Sequence, residues 1–149
     1  MKVLFATDGA KQSNAAIDIL RKFKLEAGDE IKVISVIDMA VPLAVDIYGG
    51  YLPDTSELEK TAKVNAEKIL EETAGSLRTI FSDPEVRIST EVQFGSPESR
   101  IVETADEMKP ELVVVGSHGY KSWERLLLGS VSESVLHHVP CSVLIARCP

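Results

Sequence analysis

The stretch Leu112-Val113-Val114-Val115-Gly116-Ser117-His118-Gly119 passes from four apolar residues straight into a turn bounded by two glycines. A short apolar run with no polar alternation is the pattern of a strand buried on both faces, as in a parallel sheet covered by helices. Nine residues separate Gly119 from Gly129, and Gly129-Ser130-Val131-Ser132 opens a short helical segment that reaches Val139. A last strand, Val143-Leu144-Ile145-Ala146, follows it.

Upstream the same alternation repeats. Val3-Leu4-Phe5-Ala6 is a second continuous apolar run, and it stops at Thr7-Asp8-Gly9. Ala16, Ile19, Leu20 and Phe23 then fall on one helical stripe, with Ser13 as the expected N-cap. Ile31 to Ile37 is rich in β-branched residues and ends at Asp38, which predicts a strand. Met39 to Pro53 lacks periodicity and holds Pro42, Gly49 and Gly50, so it is expected as a loop near the site and as the part that moves.

Asp54 and Glu57 resemble a capping box before a long helix through Leu58, Ala62, Ala66, Ile69, Leu70, Leu77 and Ile80, expected to fray near Gly75. Val86 to Phe94 alternates apolar with polar residues, which predicts a strand with one wet face at or near a sheet edge. Ser96-Pro97 starts a helix that Pro110 closes. The order βαβαβαβαβ calls for a mostly parallel α/β sheet with right-handed crossovers and helices on both faces, in one domain spanning residues 1–149.

Composition narrows the function. At 149 residues the chain has the size of one core that buries about 68 to 70% of its unfolded surface. The net charge of −7 argues against a broad nucleic-acid surface. The longest apolar runs fall short of the roughly 20 residues of a membrane span, and Met1 to Ala6 is too short for a signal peptide, so the expected compartment is the cytoplasm. Cys141 and Cys148 are read as free thiols, buried or regulatory, because two cysteines draw neither a disulfide framework nor a four-ligand metal site.

In an open parallel sheet, ligands collect beyond the carboxyl ends of the strands, where the strand order reverses. Of the turns placed there, the glycine pairs are the most informative. Glycines let backbone approach a ligand, Ser130 and Ser132 carry hydroxyls, and a helix N-terminus offers N–H groups and partial positive charge, a set that suits phosphate. Two readings stay open, because Ser130 to Glu133 is also a legitimate capping box. Lys121 and Arg125 are either cationic partners of a phosphate or a solvated loop. Asp8 and Asp38 are either plain turn residues or groups that orient a hydroxyl or a cation. His137 and His138 complement the end of a helix.

Familiar machines are absent: no P-loop, no Gly-x-Gly-x-x-Gly after a strand, no Gly-x-Ser-x-Gly elbow, and Phe94-Gly95 where a receiver domain carries its aspartate. No residue is poised as a nucleophile or general base.

Thr7-Asp8, Val36-Ile37-Asp38 and above all Gly116-x2-Gly119-x9-Gly129-Ser130 resemble the universal stress protein family, in its ATP-binding branch. The likeness runs over essentially the whole chain. It implies a Rossmann-like sheet of five parallel strands in the order 3-2-1-4-5, with ATP across the carboxyl ends of the first and fourth. Ala6, Thr7, Asp8 and the backbone of Val36 would hold the adenosine side. Gly116, Ser117, His118, Gly119, Gly129, Ser130, Val131 and Ser132 would hold ribose and phosphates, with Mg²⁺ or Mn²⁺ carried by the phosphates rather than by protein ligands.

The resemblance further implies a homodimer through the last strand, Val143 to Ala146, and a protein partner that reads the nucleotide-bound surface. The chain departs from the family pattern at Pro140-Cys141-Ser142-Val143, where many relatives read Pro-Val before the last strand. The function expected is a nucleotide-dependent regulatory protein of the stress response. The rivals are a slow ATPase or nucleotidyl transferase on the same fold and a dimeric scaffold without nucleotide.

Overall fold

The computed structural model describes residues 1–38, 55–117 and 128–148, and of Thr55 the backbone alone. Along the described residues run β1 (Lys2–Ala6), α1 (Lys11–Leu20), β2 (Glu30–Ile37), α2 (Thr55–Ile80), β3 (Arg87–Phe94), α3 (Pro97–Met108), β4 (Leu112–Gly116), α4 (Ser130–His138) and β5 (Ser142–Ala146). All pairings are parallel, and the sheet order is β3-β2-β1-β4-β5, as the resemblance implied.

β1 explains why the sheet has two covered faces. Val3 and Phe5 point to one side, where Ala16, Ile17 and Leu20 of α1 and Leu70 and Leu77 of α2 close over them. Leu4 points to the other and meets Ile101 and Ala105 of α3 and Val135 of α4. Val3, Leu4 and Phe5 are each 0% exposed, so a strand with helices on both sides has no polar position to give. Each such side chain stabilises the fold by about 1.5–3 kcal/mol through burial. β3 is a sheet edge, as its alternation predicts: Ile88 and Val92 pack inward, whereas Arg87, Ser89 and Glu91 are exposed.

Two helices differ from the sequence expectation. α1 begins at Lys11 with Ala10 as its cap, and Ser13 sits buried in the first turn with its N–H on the Ala10 carbonyl at 3.0 Å. α2 runs through Gly75 without a break, because the buried Ala74 and Leu77 anchor that turn and outweigh a glycine cost of about 1 kcal/mol. Asp54 lies outside the described residues, as does the Met39–Pro53 loop. α3 does end before Pro110: Lys109 takes φ 50, since proline disfavours the right-handed helical region for the residue before it.

The chain leaves β1 toward β2 and β3, then returns through α3 to β4 on the other side of β1. The strand order therefore reverses between β1 and β4, and the crevice that α/β sheets use for ligands opens at their carboxyl ends.

Candidate functional site

The β1 exit is a turn built by its own side chains. The Thr7 N–H extends the ladder by donating to the Ile34 carbonyl at 2.9 Å. The Gly9 N–H then donates to Thr7 Oγ1 at 3.1 Å, and the Ala10 N–H to Asp8 Oδ1 at 2.9 Å. These two bonds satisfy donors ahead of α1, which is why that helix needs no serine cap at position 13. Thr7 is buried and Asp8 exposed. Gly9 has φ +77, and a Cβ there would lie 2.9 Å from Ile69 Cγ1 of α2. Gly9 and Ile69 thus shape this wall of the crevice. The glycine after Thr7-Asp8 was the available signal, but only the approach of α2 gives it meaning.

On the α3 and α4 side of the sheet, Ala6, Val36 and Val131 are partly buried and pack against one apolar cluster. They form an apolar shelf at the strand ends. Val36 sits near the end of β2 and pairs with Gln93, and the Ile37 carbonyl accepts the Gly95 N–H at 3.0 Å. Asp38 is exposed.

The β4 exit is built differently. Gly116 pairs with Ala146, and the Ser117 N–H donates to the Ala146 carbonyl at 2.8 Å. The Ser117 carbonyl accepts the Gly129 N–H at 2.9 Å. It also lies 3.1 Å from Ser132 Oγ, which is 2.9 Å from the Gly129 carbonyl. The chain thus leaves β4 and returns to the same point to begin α4.

Gly129 is the helix cap, with extended backbone at φ −66 and ψ 156 and no side-chain cap bond. Ser130 is therefore the first helical residue, and the capping box from Ser130 to Glu133 is not formed. The first bond of the helix runs from the Glu133 N–H to the Gly129 carbonyl at 2.9 Å. The N–H groups of Ser130, Val131 and Ser132 stand ahead of that ladder at the positive end of the helix dipole, a geometry that favours an anion. Neither Gly116 nor Gly129 has a positive φ, unlike Gly9, Gly28 and Gly95. Their value to the site is backbone without a Cβ rather than left-handed conformation. His137 and His138 close the last turn of α4, where the His138 ring Nδ1 lies 2.7 Å from the Ser134 carbonyl.

The structure thus brings Ala6, Thr7, Asp8, Val36, Gly116, Ser117, Gly129, Ser130, Val131 and Ser132 to the carboxyl ends of adjoining strands. His118, Gly119, Lys121 and Arg125 lie outside the described residues. Among the described residues, groups whose ionisation the fold shifts stand elsewhere. The Glu26 N–H, followed by the chain's terminal ammonium, holds Asp29 low at the opposite end of the sheet. The Lys32 ammonium holds Glu91 low between β2 and β3, and burial pushes the Cys141 thiol up. Among the described residues no group of three His, Cys, Asp or Glu side chains is placed to hold a metal ion.

Known proteins are similar to this chain in sequence or fold. A Staphylococcus aureus (strain USA300) protein named as a universal stress protein is 29% identical over 146 residues, 97% of this chain and 82% of its own. The solved structure of a hypothetical protein, PH0823, is 28% identical with a TM-score of 0.71, over 97% of this chain and 94% of that one. A universal stress protein solved in complex with cAMP superposes with a TM-score of 0.64 at 24% identity, over 99% of this chain and 96% of that one. An Arabidopsis thaliana family protein with AMP bound superposes with a TM-score of 0.68 at 16% identity, over 100% and 92%. The model of the universal stress protein family matches residues 1–147 and so takes in every strand and helix of the sheet described above; the chain belongs to that family.

Proposed function

We propose that this protein binds an adenine nucleotide, ATP, across the carboxyl ends of β1 and β4, and that the bound nucleotide regulates a surface read by another protein. The observation that carries the reading is the start of α4, held against the β4 exit by the Ser117 carbonyl with three backbone N–H groups ahead of the helical ladder. Those N–H groups take the phosphates, and the shelf of Ala6 and Val36 takes the adenine. The donor set fits the group: amide and hydroxyl donors for oxyanions, and apolar surface for a ring. Mg²⁺ or Mn²⁺ would enter with the phosphates.

The cAMP and AMP bound by the two structural neighbours support an adenylate as the ligand. We also propose one domain, working in the cytoplasm as a homodimer joined through β5, whose Val143, Leu144 and Ile145 are only half-buried at an open sheet edge. No helix among the described residues is long and apolar enough to cross a membrane.

The test is direct. Freshly purified protein is denatured and the released small molecules identified by mass spectrometry, while protein stripped of ligand is titrated with ATP, AMP and cAMP in a calorimeter. An adenine nucleotide released, or ATP bound at micromolar concentration, supports the reading; protein that releases none and binds none of the three overturns it.

A further inference from the structure

We infer that Ser132 is a positioning residue, whose hydroxyl works as a latch between the β4 exit and the start of α4. Its Oγ is 3.1 Å from the Ser117 carbonyl and 2.9 Å from the Gly129 carbonyl, and the side chain is 1% exposed. A serine hydroxyl has one proton, so at any moment it donates to one of these two oxygens. Both oxygens belong to residues joined by the Gly129 N–H to Ser117 bond. The hydroxyl therefore closes a small ring with the backbone on either side of the excursion between β4 and α4. Ser117 in turn donates to the Ala146 carbonyl, so the ring is fixed to β5 as well.

The consequence concerns the anion site. The N–H groups of Ser130, Val131 and Ser132 can converge on one phosphate only if α4 keeps a fixed position against β4, and the latch fixes it. Ser132 gives a nucleotide its backbone N–H and keeps its hydroxyl for the protein. Ser130 differs: it is the first helical residue and is exposed.

This rests on the proposed nucleotide reading for its effect on ligand, but the latch has a test of its own. In nucleotide-free protein, Ser132→Ala should speed amide hydrogen exchange at Gly129 about tenfold relative to Val113 and Val114, the loss expected for one buried hydrogen bond. Ser132→Thr, which keeps the hydroxyl, should restore the slow exchange. Exchange at Gly129 unchanged in Ser132→Ala, or a rise shared equally by the two core valines, overturns the latch.

The binding arm compares ATP with adenosine. Ser132→Ala should weaken ATP about tenfold and leave adenosine affinity as it was, because only the phosphates use the start of α4. Equal losses for both ligands, or none for either, overturn the positioning role. If the wild-type protein binds neither ligand, the nucleotide reading fails, and the exchange result decides the latch by itself.

Discussion

The two exits that frame the crevice are made by opposite means. At the end of β1 the chain turns at once into a helix, and Thr7 and Asp8 direct their side chains onto the next N–H groups. At the end of β4 the Ser117 carbonyl accepts the Gly129 N–H and so joins the strand exit to the start of α4. The first exit is a wall that satisfies itself and is pressed by Ile69 from α2. The second leaves the N–H groups of Ser130, Val131 and Ser132 ahead of the helical ladder. Shape comes from one side and hydrogen-bond donors from the other, so a substitution on the first side should damage folding and one on the second should damage binding.

The largest effect expected is Gly9→Val. Its φ of +77 is disfavoured for a β-branched residue, and its Cβ would sit 2.9 Å from Ile69 Cγ1. Backbone strain of about 1–3 kcal/mol and overpacking of about 1–3 kcal/mol act together, so urea denaturation should show a loss of roughly 3–5 kcal/mol. Adding Ile69→Ala to Gly9→Ala should relieve the contact and leave the φ cost in place. A Gly9→Val protein as stable as wild type would remove the difference between the exits.

Gly129→Val should act the other way round. Its φ of −66 is open to any residue, so the fold loses no more than about 1 kcal/mol, the preference at a helix cap. The added side chain instead stands at the mouth of the anion site. ATP affinity should fall by roughly a hundredfold, about 2.7 kcal/mol, with the urea midpoint little changed. Calorimetry that finds ATP bound as tightly as by wild type would put the phosphates elsewhere.

What the sequence made legible was what periodicity and chain direction govern. The unbroken apolar runs of β1 and β4 announced a sheet covered on both sides, and the alternation of β3 announced an edge. Local chemistry was harder. Ser13 looked like a cap because serine is a good one, yet Asp8 and Thr7 had already satisfied the N–H groups before α1. Moving the α4 cap by one residue, from Ser130 to Gly129, made Ser130 an exposed first helical residue and left Ser132 bound to Ser117. Such one-residue choices depend on contacts across the fold, which spacing along the chain does not carry. Gly9 shows the same limit, since its constraint comes from a helix far along the sequence.

Smaller effects sharpen the comparison at the level of single hydrogen bonds. Thr7→Val keeps the shape of a buried side chain and removes the acceptor of the Gly9 N–H. It should cost about 1 kcal/mol in stability. Ser130→Ala changes an exposed residue at the first helical position, and its stability should stay within about 0.5 kcal/mol of wild type. Equal losses in the two variants, measured by urea denaturation, would mean that the β4 side is as self-satisfied as the β1 side.

The smallest effect is a control placed away from both exits. Lys32 pairs with Glu91 at 2.5 Å between β2 and β3 and holds that carboxylate below its ordinary value. Because the folded state binds this proton more weakly, the pair stabilises the protein above the carboxylate's ordinary range, about pH 4.3. The contribution fades as pH falls through the lowered value. Glu91 is 43% exposed, so solvent screening limits the effect to about 0.5 kcal/mol at neutral pH. Lys32→Met should therefore lose that amount at pH 7 and converge on wild type once the pH has fallen through the lowered value, where the carboxylate is protonated in either protein. Glu91 sits midway along the edge strand β3, so amide exchange at Gly9 and Gly129 should stay as in wild type. Faster exchange at either glycine would show that the exits draw on the far side of the sheet, and the division between a shaping wall and a donating one would no longer be local to the crevice.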